Sequence, residues 1–404
     1  MPQLPGVDPR RQVVCHVDVD CFYAACERLR EPTLRDEPVV VGMGYEPGAD
    51  HGAVATASYE AREHGVESAM AISEALKRLP RRTDSEGGEA ETGYYRPVDM
   101  AYYESVSEDV QAVLDDTAET VRNVSIDEAY LDLGDLAWDD AEAFGRQLKA
   151  DIEAAAGVVA SVGIAPTMAT AKLASDAEKP DGLVIVDPDS VAAFLEPIPV
   201  AELHGVGPVT AAELRERGYE TAGDVAAADE TALVDAFGER GRDIYRQARG
   251  EDDRVVEPKG RPKSLSSESA FPEPTDDGDR KRRKLTALAA DVTERATAKD
   301  ALYRTVGIKV VEPPFDVHTR ERSLSGPVDD PELVEEIAVD LLAEFDDPAV
   351  RKLGVRVSNL SFDAREQATL GQWADGAADR ELARPSRVRR SGETDMQLEL
   401  SQFE

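Results

Sequence analysis

Two short acidic segments set the strongest constraint on how this chain folds: His16-Val17-Asp18-Val19-Asp20-Cys21-Phe22-Tyr23 and Ser125-Ile126-Asp127-Glu128-Ala129-Tyr130. Each places carboxylates at the end of an apolar, β-prone run, a position from which they hold a hard cation. Neighbouring strands bring acids distant in sequence into one site. Phosphoryl transfer by two metals about 3.5 to 4 Å apart needs a carboxylate that bridges both ions. Asp18 and Asp127, completed by Glu128, are the candidate set. Consecutive strand residues point to opposite faces, so Asp127 and Glu128 share a site only across a bend. Either patch alone would read as acids at a strand end facing water.

The 404 residues are enough for two to four domains, and an apolar fraction of 41% supplies their cores. No stretch approaches the roughly 20 apolar residues that span a bilayer. The N-terminus, MPQLPGVDPRRQ, lacks the apolar segment of a signal peptide. A soluble, cytoplasmic protein without a membrane partner is expected. Cys15, Cys21 and Cys26 crowd together with no CxxC and no paired His, so they read as small buried hydrophobes. His16 reads as a packed strand residue and is given no role.

A formal charge of −36 should repel phosphate backbones. The excess is spread over the whole chain, however, and arginine far outnumbers lysine, as in the proteomes of salt-in halophiles. In near-molar salt the Debye length falls to about 3 Å, so distant repulsion fades while close arginine contacts survive. Departures from the acidic background then carry the information. Arg254, Lys259, Arg261 and Lys263 face only Glu257 in their segment. Residues 278–310 include the run Arg280-Lys281-Arg282-Arg283-Lys284. Such basic islands suggest a polyanion partner, against the alternative of a solvated helix face.

Residues 12–19 read as a strand, followed by a helix through residues 24–28 and a second strand at 38–42. Residues 53–62 read as a strand edge running into a helix, and 81–93 as a polar, Gly-rich insertion. A helix at 101–113 precedes a strand pair around the second acidic patch. A helix at 139–155 and a strand at 159–164 complete an α/β or α+β unit. Beyond Pro188 come short helices punctuated by glycine. Residues 251–263 form a Pro/Gly/Lys/Arg linker. After it come strands at 305–311, 317–324 and 353–360 with two helices between them, and residues 363–404 have the composition of a flexible tail.

HVDVDCFYAACE (residues 16–27) and SIDEAYLDL (residues 125–133) together resemble Y-family DNA polymerases of the DNA polymerase IV type. Six further blocks follow in the family's order and spacing: AVATASYEAREHGV, RPVDM, SVGIAP, EKPDG, HGVGP and LGVRVSNL. The likeness spans about residues 10 to 362. It implies an α+β multidomain right-hand polymerase. The palm would be 1–29 and 89–182, the fingers 30–88, a helical thumb 183–250, a linker 251–263 and an α/β little finger 264–362.

The resemblance also implies roles. Asp18, Asp127 and Glu128 fall on the catalytic, metal-binding carboxylates, and Val19 on the residue whose backbone carbonyl joins the metal shell; two Mg²⁺ per active site are the implied cofactors. Tyr23 falls on the steric gate that rejects a ribose 2′-OH, beside Phe22 at the dNTP. Thr56, Tyr59 and Arg62, three residues apart, are expected to share one helix face and donate to the triphosphate. Lys179 matches a second phosphate-contacting cation. Where the family carries an Asn-Lys pair after Gly163-Ile164-Ala165, this chain has Pro166-Thr167, which leaves Lys172 to contact the primer side.

His204-Gly205-Val206-Gly207-Pro208 looks like a helix-hairpin-helix whose Gly205 and Gly207 let backbone N–H groups approach a DNA phosphate. Phe237-Gly238-Glu239-Arg240-Gly241 repeats the device. Lys263, Arg320 and Arg322 are the expected DNA contacts of the little finger, with the two arginines on one strand face. The ending Gln397-Leu398-Glu399-Leu400-Ser401-Gln402-Phe403-Glu404 resembles a peptide for a PCNA-type sliding clamp, in which Gln397, Leu400 and Phe403 make the contact. Gln367, Leu370 and Trp373 form a similar set.

The implied activity is low-fidelity, template-directed synthesis on primer-template DNA with dNTPs, by a monomer without a proofreading exonuclease, in translesion synthesis and repair. Two alternatives stand beside it: a silent DNA- and clamp-binding scaffold, and a nucleotidyl cyclase-like use of the same acids. The charge reading is tested by salt. Stability and activity are expected to rise towards molar KCl, and full activity and stability at low salt would contradict it.

Overall fold

Val14-Cys15-His16-Val17-Asp18-Val19 forms β1 (Val14–Val19), a strand with two different faces, both largely buried. Cys15, Val17 and Val19 point into one core, whereas Val14 enters another with Tyr130 and Ala171. The computed structural model describes residues 12–82 and 91–362. There the chain forms two units, one running to Lys259 and one beginning at Gly260.

After β1 come α1 (Phe22–Arg30), β2 (Val39–Met43), β3 (Ala53–Ala57), α2 (Tyr59–Glu63), α3 (Ile72–Arg78) and β4 (Tyr94–Pro97). They are followed by α4 (Met100–Thr117), β5 (Thr120–Asn123), β6 (Glu128–Asp132), α5 (Ala141–Ala156), β7 (Ala160–Ala165), α6 (Met168–Ala177) and β8 (Leu183–Ile185). The main sheet has the order β5-β6-β1-β7-β8, antiparallel except where β7 meets β8. It runs to Ile185, past the palm boundary expected at residue 182. α4 and α5 cover one face through Tyr103, Val110, Leu114, Leu148 and Ile152. α6 lies against the other. Gly163 permits that approach, because a Cβ there would sit 2.2 Å from the Ala171 carbonyl oxygen and 2.3 Å from the Ser175 nitrogen.

A smaller sheet, β3-β2-β4, packs its own core of Val40, Val54, Ile72, Leu79 and Tyr95. The helices α7 (Val191–Leu195), α8 (Pro208–Glu216), α9 (Ala222–Ala226), α10 (Glu230–Phe237) and α11 (Glu239–Ala248) share a core built on Leu195, Leu214, Leu233 and Ile244. The three cysteines are free and buried, as their spacing suggested. Burial pushes the Cys26 thiol up to about 12. Among the described residues no helix is long and apolar enough to cross a membrane.

The second unit contains β9 (Ser264–Thr275), α12 (Gly278–Ala298), β10 (Tyr303–Glu312), β11 (Asp316–Val328), α13 (Pro331–Leu342) and β12 (Val350–Ser358). Its sheet, β11-β10-β12-β9, is antiparallel throughout. β9 escapes a reading by hydrophobic pattern because only Leu265, Phe271 and Thr275 of its twelve residues are buried. Val306, Ile308, Val355 and Val357 meet Leu285, Leu288, Val334 and Ile337 of the two helices. That places one face of the sheet under α12 and α13.

Arg320 and Arg322, expected to contact DNA, belong to the face that α12 and α13 cover. They pair in register with Ile308 and Val306. Arg320 Nε donates to Glu344 at 2.6 Å and Arg322 Nη1 to Asp340 at 3.3 Å, so both guanidinium groups are committed to the helical layer. Alternation puts the two arginines on one face, but it does not say which face is open.

Two of the five basic residues in the run on α12 are structural, while Arg280, Arg282 and Arg283 are exposed. Lys284 Nζ donates to Ser269 and Ala270 and lies 4.8 Å from the centre of the Phe271 ring. Lys281 is fully buried and donates to the backbone carbonyls of Phe345 and Asp346 at 2.8 Å and of Pro348 at 3.0 Å. One ammonium thus satisfies three carbonyls beyond the end of α13. Lys281→Met should cost this unit about 3 kcal/mol by stranding them. Hydrogen exchange of the β10 and β12 amides reads that loss, and unchanged protection would show the carbonyls re-paired.

Candidate active site

Asp18 lies on the α6 face of β1, and the antiparallel register sets it directly opposite Glu128 at the start of β6. Residues 125–127 bend just before that strand, which resolves the alternation problem. The Ser125 hydroxyl donates to the Asp127 carboxylate and accepts from the Glu128 N–H at 3.2 Å. The Val19 N–H donates to the Asp127 carbonyl at 2.9 Å. Asp18, Val19, Asp127 and Glu128 therefore meet at adjoining strand ends.

α6 and the loop after it bring cations to these acids. Lys172 Nζ lies 2.6 Å from Glu128 Oε2 and 4.0 Å from Asp18 Oδ2. Lys179 Nζ lies 2.7 Å from Asp18 Oδ1 and 2.8 Å from Asp176 Oδ1. Lys172 therefore stands among the carboxylates, a placement its sequence signal, a lysine on a helix after Gly163, did not specify. His16, in sequence only a packed strand residue, touches the site. Its Nδ1 is 2.8 Å from Ser175 Oγ and its Nε2 is 3.5 Å from Glu128 Oε2, with Tyr130 tilted against the ring.

The three acids differ in their electrostatics. Burial, and then the charge of Asp18, push the Asp127 carboxyl up to about 6. Burial also pushes on Glu128, but His16 and Lys172 outweigh it and hold that carboxyl down at about 2. Burial works against the Lys172 ammonium, and the Glu128 charge overcomes it, holding the group above its usual range. Among the described residues no three His, Cys, Asp or Glu side chains are gathered closely enough to enclose a metal ion. The donors nonetheless suit a hard divalent cation: they are all oxygens, and the mutual repulsion of Asp18 and Asp127 is what such an ion relieves.

A left-handed residue, Cys21 (φ 48°), turns the chain from β1 into α1. Phe22 is 2% exposed and its ring packs in the core, so its side chain does not reach a nucleotide and only its backbone amide, in an uncapped helix start, could. Tyr23 is half-buried and stacked on Tyr103, with ring centroids 4.6 Å apart and planes at 18°. The Tyr103 phenol donates to the buried Glu27 at 2.7 Å, which fixes the backing ring. A tyrosine eighty residues away in sequence gave no local sign of this contact.

Thr56, Tyr59 and Arg62 do not share a helix face. Thr56 belongs to β3, and only Tyr59 and Arg62 lie on α2. The Arg62 guanidinium stands 4.9 Å over the Tyr59 ring and donates to the Ala57 carbonyl at 3.0 Å. Burial, and then the Asp20 carboxylate, push the Tyr59 phenol up, so it stays a donor.

In the helical part, Gly205 has φ 80° and Gly207 is the N-cap of α8, with Pro208 in its first turn. The second glycine pair is different: Gly241 lies inside α11, where a Cβ would sit 2.1 Å from the Leu233 carbonyl oxygen, and it serves packing. Arg240 donates to the Gly205 carbonyl. Lys263 is exposed just before β9. Gln397, Leu400 and Phe403, like Gln367, Leu370 and Trp373, lie outside the described residues.

A mostly antiparallel sheet carrying acids at adjoining strand ends, in a unit that also holds a small sheet and a group of helices, and a second, α/β unit in the same chain, define a right-hand nucleotide polymerase. Family models place it further. The impB/mucB/samB family matches residues 17–176, its C-terminal domain residues 262–370, and the IMS family HHH motif residues 188–219. The chain is 62% identical over 374 residues to a DNA polymerase IV of Halobacterium salinarum, covering 92% of this chain and 91% of the relative. It is 40% identical to a DNA polymerase IV of Methanoculleus marisnigri, covering 90% and 98%. A solved Y-family DNA polymerase chimera of Dbh and Dpo4 superposes with a TM-score of 0.76 at 26% identity, covering 87% of this chain and all of that one. This chain belongs to the Y family of DNA polymerases, in its DNA polymerase IV branch. It is a DNA-directed DNA polymerase of the translesion type, in a family of nucleotidyltransferases that work with divalent metals.

Proposed function

We propose that Asp18, Asp127 and Glu128, with the Val19 carbonyl, hold two Mg²⁺ ions and that the chain adds dNMP units to a primer 3′-OH. The observation that carries this reading is the juxtaposition of Asp18 with Glu128 across β1 and β6, with Asp127 in the adjoining bend. Asp18, Asp127, Glu128 and the Val19 carbonyl would hold the two ions, which would supply charge to favour deprotonation of the 3′-OH and to offset that of the leaving pyrophosphate. Lys172, through Glu128, steadies the primer side of the site. Lys179 and Arg62 take the triphosphate, with Thr56 and the Phe22 backbone amide around it and the Tyr59 ring beneath the Arg62 guanidinium. Tyr23 lies under the sugar, and its stack on Tyr103 keeps the ring from yielding to a 2′-OH.

Gly205 and Gly207 present α8 to a DNA phosphate. Exposed Lys263 contacts DNA, and so does exposed Arg356, which lies on the sheet face away from α12 and α13. Primer-template DNA, dNTPs and a PCNA-type clamp engaged through Gln397, Leu400 and Phe403 are the partners of this cytoplasmic, monomeric enzyme. The domains are those the resemblance implied, with the palm carried to Ile185. The scaffold alternative is disfavoured by the placement of Asp18, Asp127 and Glu128 at adjoining strand ends.

Two substitutions test the assignment. Asp127→Asn should lower primer extension in high KCl with Mg²⁺ about a thousandfold, and extension equal to wild type would overturn the mechanism. Tyr23→Ala should raise ribonucleotide relative to deoxyribonucleotide incorporation at least about tenfold, and unchanged sugar selectivity would remove the gate.

A further inference from the structure

Asp20 shares the first acidic patch with Asp18 but lies in the turn after β1, where it is 7% exposed. Its Oδ1 accepts from the Tyr59 phenol and from Ser161 Oγ, each at 3.0 Å. Its Oδ2 accepts from Ser161 Oγ at 3.1 Å and from the Asp181 backbone N–H at 2.7 Å. All three of these donors are uncharged. Ser161 Oγ accepts in turn from the Gly182 N–H at 3.1 Å, so the loop after α6 is tied at two successive amides.

The donors come from three separate elements. Tyr59 opens α2, Ser161 lies in β7, and Asp181 sits in the loop between α6 and β8. Two of these elements carry the cations assigned to the triphosphate. Arg62 is three residues on from Tyr59 in α2, and Lys179 is two residues before Asp181. A buried carboxylate is a poor source of stability, because apolar groups of the same volume serve as well. What it supplies is geometry, since its two acceptor-only oxygens hold donors of different elements at one spacing. The phenol has a single proton and gives it to Asp20. In this arrangement Tyr59 is a strut and not a phosphate donor.

We propose that Asp20 is a positioning residue that sets the spacing of Arg62 and Lys179, and so the fit of the nucleotide triphosphate, without itself touching metal or nucleotide. The proposal rests on the reading of Lys179 as a triphosphate ligand given above. Asparagine offers one acceptor oxygen in place of two, so Asp20→Asn cannot serve both Tyr59 and Asp181.

Primer extension with Mg²⁺ in high KCl is to be measured across dNTP concentration for wild type, Asp20→Asn, Tyr59→Phe, their double variant and Lys179→Ala. Mn²⁺ binding and thermal unfolding are read in parallel. Asp20→Asn is expected to raise the dNTP KM about tenfold, to change kcat by less than about threefold and to leave Mn²⁺ affinity in place. Tyr59→Phe should raise KM in the same sense, and the double variant should be little worse than Asp20→Asn alone. Unchanged KM in both single variants, with KM raised in Lys179→Ala, overturns the role of Asp20 and leaves the triphosphate reading standing. Effects that multiply in the double variant overturn the shared strut. Unchanged KM in Lys179→Ala overturns the reading beneath the proposal. Should Asp20→Asn not fold, Tyr59→Phe decides alone: a raised KM supports the strut, and a fall in kcat with KM unchanged refutes it.

Discussion

The register of β1 against β6 is the constraint on which the rest of the N-terminal unit depends. Pairing Val14 with Asp132 carries Asp18 to Glu128 at the other end of the ladder, and a slip of one residue would turn every side chain of β1 to the opposite face. Because both faces of β1 are packed, neither tolerates that change. One takes Cys15, Val17 and Val19 into the core with α4 and α5, and the other takes Val14 and His16 towards α6. The same apolar pattern that fixes the fold thereby fixes the position of an acid that adds nothing to it.

The close approach of α6 completes the site. Gly163, opposite His16 in the β1–β7 ladder, puts no side chain of its own between sheet and helix. Ser175 then reaches the buried imidazole and Lys172 reaches Glu128. Three acids at one strand end would otherwise repel one another in a poorly solvated place, as the raised Asp127 carboxyl records. Burial and the Asp18 carboxylate raise Asp127, whereas a histidine and a lysine lower Glu128, so environment separates the two neighbouring acids.

In a chain of net charge −36, cations are drawn to carboxylates or carbonyls close by. Arg320 and Arg322 pair with Glu344 and Asp340, and Lys281 is taken inside. Basic islands in the sequence therefore overstate the basic surface. Counting charge along the chain weighs every lysine and arginine alike, whereas burial and pairing remove several of them from any interface with DNA.

The sequence by itself determined the strands around the acidic patches, the alternation that gives β1 two faces, the inert cysteines, and the ordered motifs of a Y-family polymerase. These are local or motif-borne signals, carried by residue type and spacing along the backbone. Only the tertiary structure decided which face of a strand is open, as Arg320 and Arg322 show, and where a helix begins, as Thr56 shows by remaining in β3. It also decided the contacts of Lys172 with Glu128, Tyr103 with Tyr23, and Asp20 with Tyr59, Ser161 and Asp181. Each joins segments brought together only by packing, and a period of two or 3.6 residues carries no information about what lies across the core.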